Sequence, residues 1–189
     1  MTTTTTELET TPNVWIGCLA CYNGGRLTGE WVDAHEAADY VPCTRTEFGS
    51  PHEEWWVMDF ENFDGLLTEE CSPDHAQKLA ELIDFLEDDG RMAPAVFAKW
   101  CKAHHEDPLE VEVEHVMDRF VGVFESRREW ADGFLSDQLA ELPEWTQSHH
   151  GAIVDSWLHD VEQGGEMEFL EVPAGPDPWV VDVAVFHAW

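Results

Sequence analysis

The sequence predicts an α+β protein with strands toward both ends and helices between them. Three observations carry that expectation. Bulky and small residues alternate in VWIGCLA (14–20), a helical period sets in after Gly65, and two further strand-like runs lie at 167–172 and 179–187. The 189 residues are 43% hydrophobic and include ten Trp and ten Phe, enough to bury a core rather than remain a disordered acidic chain.

The elements follow in order. After VWIGCLA comes YNGG (22–25), where Asn-Gly between strand-like runs signals a hairpin turn, and RLTGEWV (26–32) is the returning strand. A short helix fits Ala34–Tyr40, stopped by Pro42, and EEWWVMDF (53–60) is a third strand, rich in aromatic and β-branched residues. Ser72-Pro73-Asp74 supplies an N-cap, an N1 proline and a first-turn acid, so a helix starts there. Ala76, Leu79, Ile83 and Leu86 share its apolar face, and Gly90 ends it. Pro94 opens a second helix carrying Val96, Phe97, Trp100 and Cys101, and Asp107-Pro108 opens a third segment reaching Phe120. Ser126 and Glu129 form an S-x-x-E capping box for a helix over about 127–141. Pro143 begins a short helical turn, Ile153–Val161 forms another helix ended by Gly164-Gly165, and the two closing strands flank the turn PAGPDP. These runs divide into a Thr-rich tail (1–12), an N-terminal α/β domain with an antiparallel sheet and short helix (13–66), a central helical domain (67–106) and a C-terminal α+β domain of helices plus a small sheet (107–189).

Charge is the abnormal quantity. Forty Asp and Glu stand against nine Lys and Arg, a formal net charge of -31, and no Lys or Arg follows Arg128. A compact chain of this length has a radius of gyration of about 16 Å and a diameter of roughly 40 Å. Duplex DNA of that length carries about 24 charges, so the linear charge density here matches or exceeds that of DNA. Such a surface repels nucleic acid and anionic lipid, which excludes direct nucleic-acid binding and a basic membrane anchor. No apolar run approaches the roughly 20 residues that cross a bilayer. The start MTTTTTELETTP has neither a basic nor an apolar leader region, and five Cys, an odd number, fit free thiols in a reducing cytoplasm. A DNA mimic, a chaperone or other acidic binding protein for basic partners, and a halophile-type solvating domain all remain open on charge alone.

No motif assembles an active site. Cys18 and Cys21 form a C-x-x-C, but on a strand an i, i+3 pair points to opposite faces, and no second C-x-x-C or spaced His pair follows. They read as buried thiols, with no metal and no cofactor expected. His104-His105 and His149-His150 lack partners at structural-zinc spacing, and HEAAD (35–39) has Asp39 where H-E-x-x-H requires His. Acid pairs are too abundant to mark a tuned catalytic dyad, and no Gly-rich phosphate loop or G-x-S-x-G occurs. The Trp residues fall at apolar positions and read as core rather than a stacking platform.

Four blocks in order carry a resemblance. In VWIGCLACYNGGRLTGEWVDA (14–34), Tyr22, Asn23, Gly25, Gly29, Trp31, Asp33 and Ala34 match a strand, a Tyr-Asn-x-Gly turn and a second strand ending Gly-x-Trp-(Ile/Val)-Asp-Ala. EEWWVMDFENFDGL (53–66) matches through Glu54, Trp55, Val57, Asp59, Phe60, Glu61 and Phe63. FVGVFESRREWADGFLSD (120–137) matches through Phe120, Gly122, Phe124, Ser126, Glu129, Trp130 and Ala131, and VAVFHAW (183–189) is similar to a closing strand. Together they resemble the ArdA family of antirestriction proteins. The departures are the longer Thr-rich start, Arg127-Arg128 where the family is more acidic, and a Trp-rich close.

The resemblance implies an elongated, curved protein of three small domains, usually a homodimer, without catalysis or cofactor. It implies carboxylates that imitate DNA phosphates and occupy the DNA-binding groove of type I restriction–modification enzymes, protecting incoming plasmid, transposon or phage DNA. The surface expected to do this runs through Asp59, Glu61 and Asp64 in and after the third strand, and Glu69 and Glu70 before the first long helix. It continues through Asp84, Glu87 and Asp88 on that helix, then Asp118, Glu125, Glu129, Asp132, Asp137, Glu141 and Glu144, and ends with Asp155 and Asp160. Helical spacing puts Glu125, Glu129 and Asp132 along one side, while Trp130, Phe134 and Leu135 turn toward the core or a partner.

Overall fold

The computed structural model describes residues 11–47, 50–175 and 179–188. Its architecture is α+β: strands β1 (Asn13–Cys18), β2 (Gly29–Asp33), β3 (Thr46–Glu47), β4 (Ser50–Pro51), β5 (Trp55–Glu61), β6 (Phe120–Phe124), β7 (Met167–Pro173) and β8 (Val181–His187), with helices α1 (Leu19–Asn23), α2 (Pro73–Asp89), α3 (Pro94–His104), α4 (Val113–Arg119), α5 (Arg127–Ala140) and α6 (His150–Gly164). Single 3-10 turns occupy Ala34–Asp39 and Glu144–His149. The chain divides into two compact units, Met1–Val111 and Glu112–Trp189.

In the first unit an antiparallel sheet in the order β2-β1-β5 puts the first strand in the middle. Alternation along β1 sends Val14 and Ile16 into the core, where Val57 of β5 joins them. The hairpin is present, but its connection differs from the Asn-Gly turn expected. Chain leaving β1 winds directly into the five-residue α1, Asn23 is the last residue of that helix, and only Gly25 takes positive φ (74°). The returning strand therefore starts at Gly29 rather than at 26. Gly29 itself is fixed by proximity, because a Cβ there would stand 2.3 Å from the Ile16 carbonyl oxygen and 2.8 Å from the Trp15 ring.

The short helix expected over Ala34–Tyr40 is a 3-10 turn, with Asp33 Oδ1 capping the His35 N–H at 3.0 Å. Of the Thr-rich tail, residues 1–10 lie outside the described residues. Thr11 and Pro12 accept bonds from Asn62 Nδ2 (3.0 Å) and the Ala34 N–H (3.0 Å).

Helix α2 matches its sequence signals. Ser72 Oγ accepts the His75 N–H at 3.2 Å, Ala76, Leu79, Ile83 and Leu86 are buried, and Gly90 closes it in the left-handed region. Helix α3 buries Val96, Phe97, Trp100 and Cys101. After Asp107-Pro108 the chain makes a turn and then the short α4, which runs up to Phe120.

The second unit holds a sheet in the order β6-β8-β7 with the last strand in the middle. Strand β6 follows α4 without a turn, and its register shifts at Gly122 (φ 154°). Helices α5 and α6 pack on this sheet through Trp130, Ala131, Leu139, Val154 and Val161 against Val183 and Val185. Arg119, buried at the end of α4, donates from Nε to the His187 carbonyl at 2.7 Å and ties that helix to the sheet.

Candidate functional site

The acidic residues singled out from sequence are nearly all on the surface. Asp59, Glu61, Asp64, Glu69, Glu70, Asp84, Glu87, Asp88, Asp118, Glu125, Glu129, Asp137, Glu141, Glu144, Asp155 and Asp160 are exposed, and Asp132 is half-buried. Local structure explains why they stay there. On α2 the apolar stripe Ala76–Leu79–Ile83–Leu86 faces the core, so Glu81, Asp84, Glu87 and Asp88 are left on the outer side. Neighbours three or four apart on such a helix lie about 5–6 Å from each other, giving closely spaced fixed anions.

Not all of these carboxylates are equally available. Glu129 Oε2 accepts the Glu125 backbone N–H at 2.7 Å while Ser126 Oγ accepts the Glu129 N–H at 3.1 Å. This capping box therefore reaches one residue further back than the usual pairing. Asp84 lies 3.0 Å from His35 Nε2, whose Nδ1 is 2.7 Å from Asp33. Burial works against protonation of His35, but the Asp33 hydrogen bond and the Asp84 charge outweigh it and hold its pKa above 6.5.

The few cations are largely engaged within the fold. Lys78 pairs with Asp74 (2.7 Å) and Arg91 with Asp89 (2.7 Å), which draws the Asp89 carboxyl below its usual range. Arg127 pairs with Glu162 (2.7 Å) and lies over the Phe169 ring, and Arg128 joins Asp132 on α5 (3.3 Å) to Asp155 on α6. The departure from the family's acidic pattern at Arg127-Arg128 is thus an internal clip between helices.

The residues matching family motifs divide between scaffold and surface. Ala131 is fully buried and Trp130 nearly so, packed on Trp157, Phe134 and Phe169 at ring separations of 5.4, 5.6 and 5.3 Å. Phe120 packs on Phe186 at a ring separation of 5.3 Å, the two rings tilted by 51°. Tyr22 and Asn23 are exposed, and Trp31 is 44% exposed. Trp31 with Trp15, Leu19, Tyr22, Leu27, Met58, Asp59 and Glu70 lines an open cleft of about 510 Å³. The expectation that tryptophans are core holds for Trp100 and Trp130 but not for Trp31 or for Trp179, which is 90% exposed. Hydrophobic type alone does not encode which face of a small unit is covered.

One grouping was missed from sequence. Cys18 and Cys21 do not face opposite ways: β1 ends at Cys18 and α1 begins at Leu19, so the chain bends between them and both sulfurs turn inward. There they meet Cys43 and His52, all four buried, with their ligand atoms within 4.8 Å of one another. Hydrogen bonding from Thr28 above all brings the Cys21 thiol down to about 6 against the effect of burial, whereas burial raises that of Cys18. Half-buried Cys71 and buried Cys101 are ordinary thiols, pushed up by desolvation to about 11 and about 12. The other histidines flagged in sequence have different roles. His104 stacks on Trp100 at 4.2 Å, His150 Nδ1 is 3.9 Å from Asp132, and His35 of HEAAD bridges two aspartates. Among the described residues no helix is long and apolar enough to cross a membrane.

Two small α+β units with exposed carboxylates and internally paired cations define an acidic protein with a preorganised anionic surface. The model of the antirestriction protein ArdA matches residues 14–171, and the chain belongs to that family. Membership carries an antirestriction function. No curated protein matches the chain.

Proposed function

We propose that the chain is a DNA mimic that occupies the DNA-binding groove of type I restriction–modification enzymes and acts as an inhibitor rather than as a catalyst. The observation that supports this reading is the exposed carboxylate set on α2, α5 and α6, in a chain whose net charge is -31. Carboxylates held on helices are preorganised partners for the Lys and Arg that normally take phosphates. Imitation of backbone charge rather than of bases accounts for inhibition without sequence preference. The acting species is a homodimer in the cytoplasm. Its charge, roughly twice that of one chain, corresponds to about 105 Å or 31 base pairs of duplex. A groove of that length belongs to a multisubunit enzyme rather than to a small repressor.

The test is competition between this protein and duplex DNA for a type I enzyme, followed by neutralisation of exposed acids outside the ion pairs described. Glu87→Gln, Asp88→Asn, Asp137→Asn and Glu141→Gln should each weaken inhibition by about 1 kcal/mol or less, as rim charges do. The fourfold variant should weaken it cumulatively while circular dichroism stays unchanged. One all-or-none residue among the four would indicate a localised site and end the mimic reading for these helices. Inhibition that duplex DNA does not relieve would favour a general acidic binder of basic proteins.

A further inference from the structure

We propose that Cys18, Cys21, Cys43 and His52 form a tetrahedral Cys3His site for one structural zinc ion. A tetrahedron with Zn–S near 2.3 Å and Zn–N near 2.0–2.1 Å separates two sulfurs by about 3.8 Å, and a sulfur from a nitrogen by about 3.6 Å. Here Cys21 Sγ lies 3.7 Å from Cys43 Sγ, and His52 Nδ1 lies 3.3, 3.5 and 3.6 Å from the sulfurs of Cys18, Cys21 and Cys43. One nitrogen equidistant from three sulfurs is the arrangement of donors around a common centre. Hydrogen bonding alone does not explain it, since a single imidazole nitrogen cannot satisfy three weak thiol partners at once. A disulfide does not explain it either, because the cysteines are free and 3.7 Å is far from the roughly 2.05 Å of an S–S bond.

The surroundings point the same way. Among the described residues, the buried cluster of Cys18, Cys21 and Cys43 has just the partly buried Ala20 packed against it as a hydrophobic neighbour, so little described apolar surface holds this corner together. Among the described residues, the segment it must hold, between the 3-10 turn and β5, has as regular structure just the two-residue strands β3 and β4. Cys43 and His52 stand at the two feet of that small hairpin, with the His52 N–H bonded to the Arg45 carbonyl at 3.0 Å. The Arg45 N–H points to Cys43 Sγ at 3.5 Å, the backbone support that a metal thiolate uses. The ligand pattern is thus C-x2-C followed by a distant C-x8-H, the longer second spacing being the length of the hairpin. Three soft thiolates and an imidazole, all four buried and within 4.8 Å of one another, select zinc in a structural rather than a catalytic role.

Protein purified under reducing conditions without chelator should contain one zinc per chain by plasma mass spectrometry. A strong chelator should remove it and lower the melting temperature by on the order of 10 °C, as loss of a folding-linked metal requires. Refilling with cobalt(II) should produce the visible bands of tetrahedral cobalt together with thiolate charge transfer. Cys43→Ser and His52→Ala should lose stoichiometric metal, while Cys71→Ser, outside the cluster, should retain it. The wild-type readings decide the matter even where a variant fails to fold. A reduced wild-type chain that carries no zinc, melts identically with and without chelator, and gives no tetrahedral cobalt spectrum overturns the site. So does a Cys21–Cys43 disulfide in anaerobically isolated protein. The result is independent of whether the chain inhibits a restriction enzyme.

Discussion

Gly29 and His35 show how single positions in the first unit carry more than their sequence context reveals. Gly29 stands where β1 and β2 approach so closely that a methyl group meets the Ile16 carbonyl at 2.3 Å, which is backbone and cannot rotate away. Gly29→Ala should therefore destabilise the protein by about 2 kcal/mol or more, read as a fall in the urea midpoint at unchanged slope. His35 holds the 3-10 turn to α2 through Asp33 and Asp84. Its pKa in the fold stands above 6.5, and in the unfolded chain it returns to about that value. The stabilisation is therefore complete below about pH 6.5 and is lost as pH rises through the elevated folded value. Urea midpoints of wild type and His35→Gln should converge as pH increases from acidic to mildly alkaline, and a constant gap would refute the linkage. The acidic residues were legible at this scale because charge density needs only counting. The thiol–imidazole group was not, because Cys43 and His52 belong to no short motif and join the C-x-x-C only through the bend after β1.

At the level of elements, the helices with explicit termini were readable and the hybrid segments were not. Ser72, Pro73 and Gly90 bound α2, and Ser126 with Glu129 starts α5, where the sequence places them, since a cap is a local bargain between one side chain and one N–H. The Asn-Gly turn failed because Leu19–Asn23 satisfies its own backbone as a helix, which a turn dipeptide does not forbid. Strand β6 escaped notice because it continues from α4 with no Gly or Pro between them. The pairing of α5 with α6 also has a functional side. Arg128 holds Asp132 and Asp155, with side chains that are 41%, 40% and 64% exposed. Arg128→Gln should cost about 1 kcal/mol or less of stability, because such partly exposed pairs are screened by solvent. It should also strengthen inhibition by releasing two carboxylates to the target. Inhibition constants and melting curves of the same preparation check both halves, and weaker inhibition without unfolding would contradict the assignment of α5 and α6 to the mimic surface.

For the whole molecule, salt should act in opposite directions on folding and on binding. A net charge of -31 repels itself, so added salt should raise the melting temperature by screening. On the proposed mimic mechanism, contacts with a basic groove release counterions, so inhibition should weaken steeply between about 50 and 200 mM salt. Measuring both across that range separates them, and inhibition insensitive to salt would point to an apolar interface. The α+β class was legible because strand-like and helical runs occupy separate stretches of sequence. Which strand sits in the middle of each sheet was not, because pairing partners far apart in the chain leave no local pattern. That arrangement bears on how the protein is made. The first sheet is built around β1, so its template exists before its neighbours leave the ribosome and the sheet can close once Glu61 has emerged. The second is built around β8, so β6 and β7 remain unpaired edges until Val181–His187 arrives with the buried Val183, Ala184, Val185 and Phe186. Of the two sheets, the second therefore keeps its edges open longer during synthesis, and its closure waits on β8.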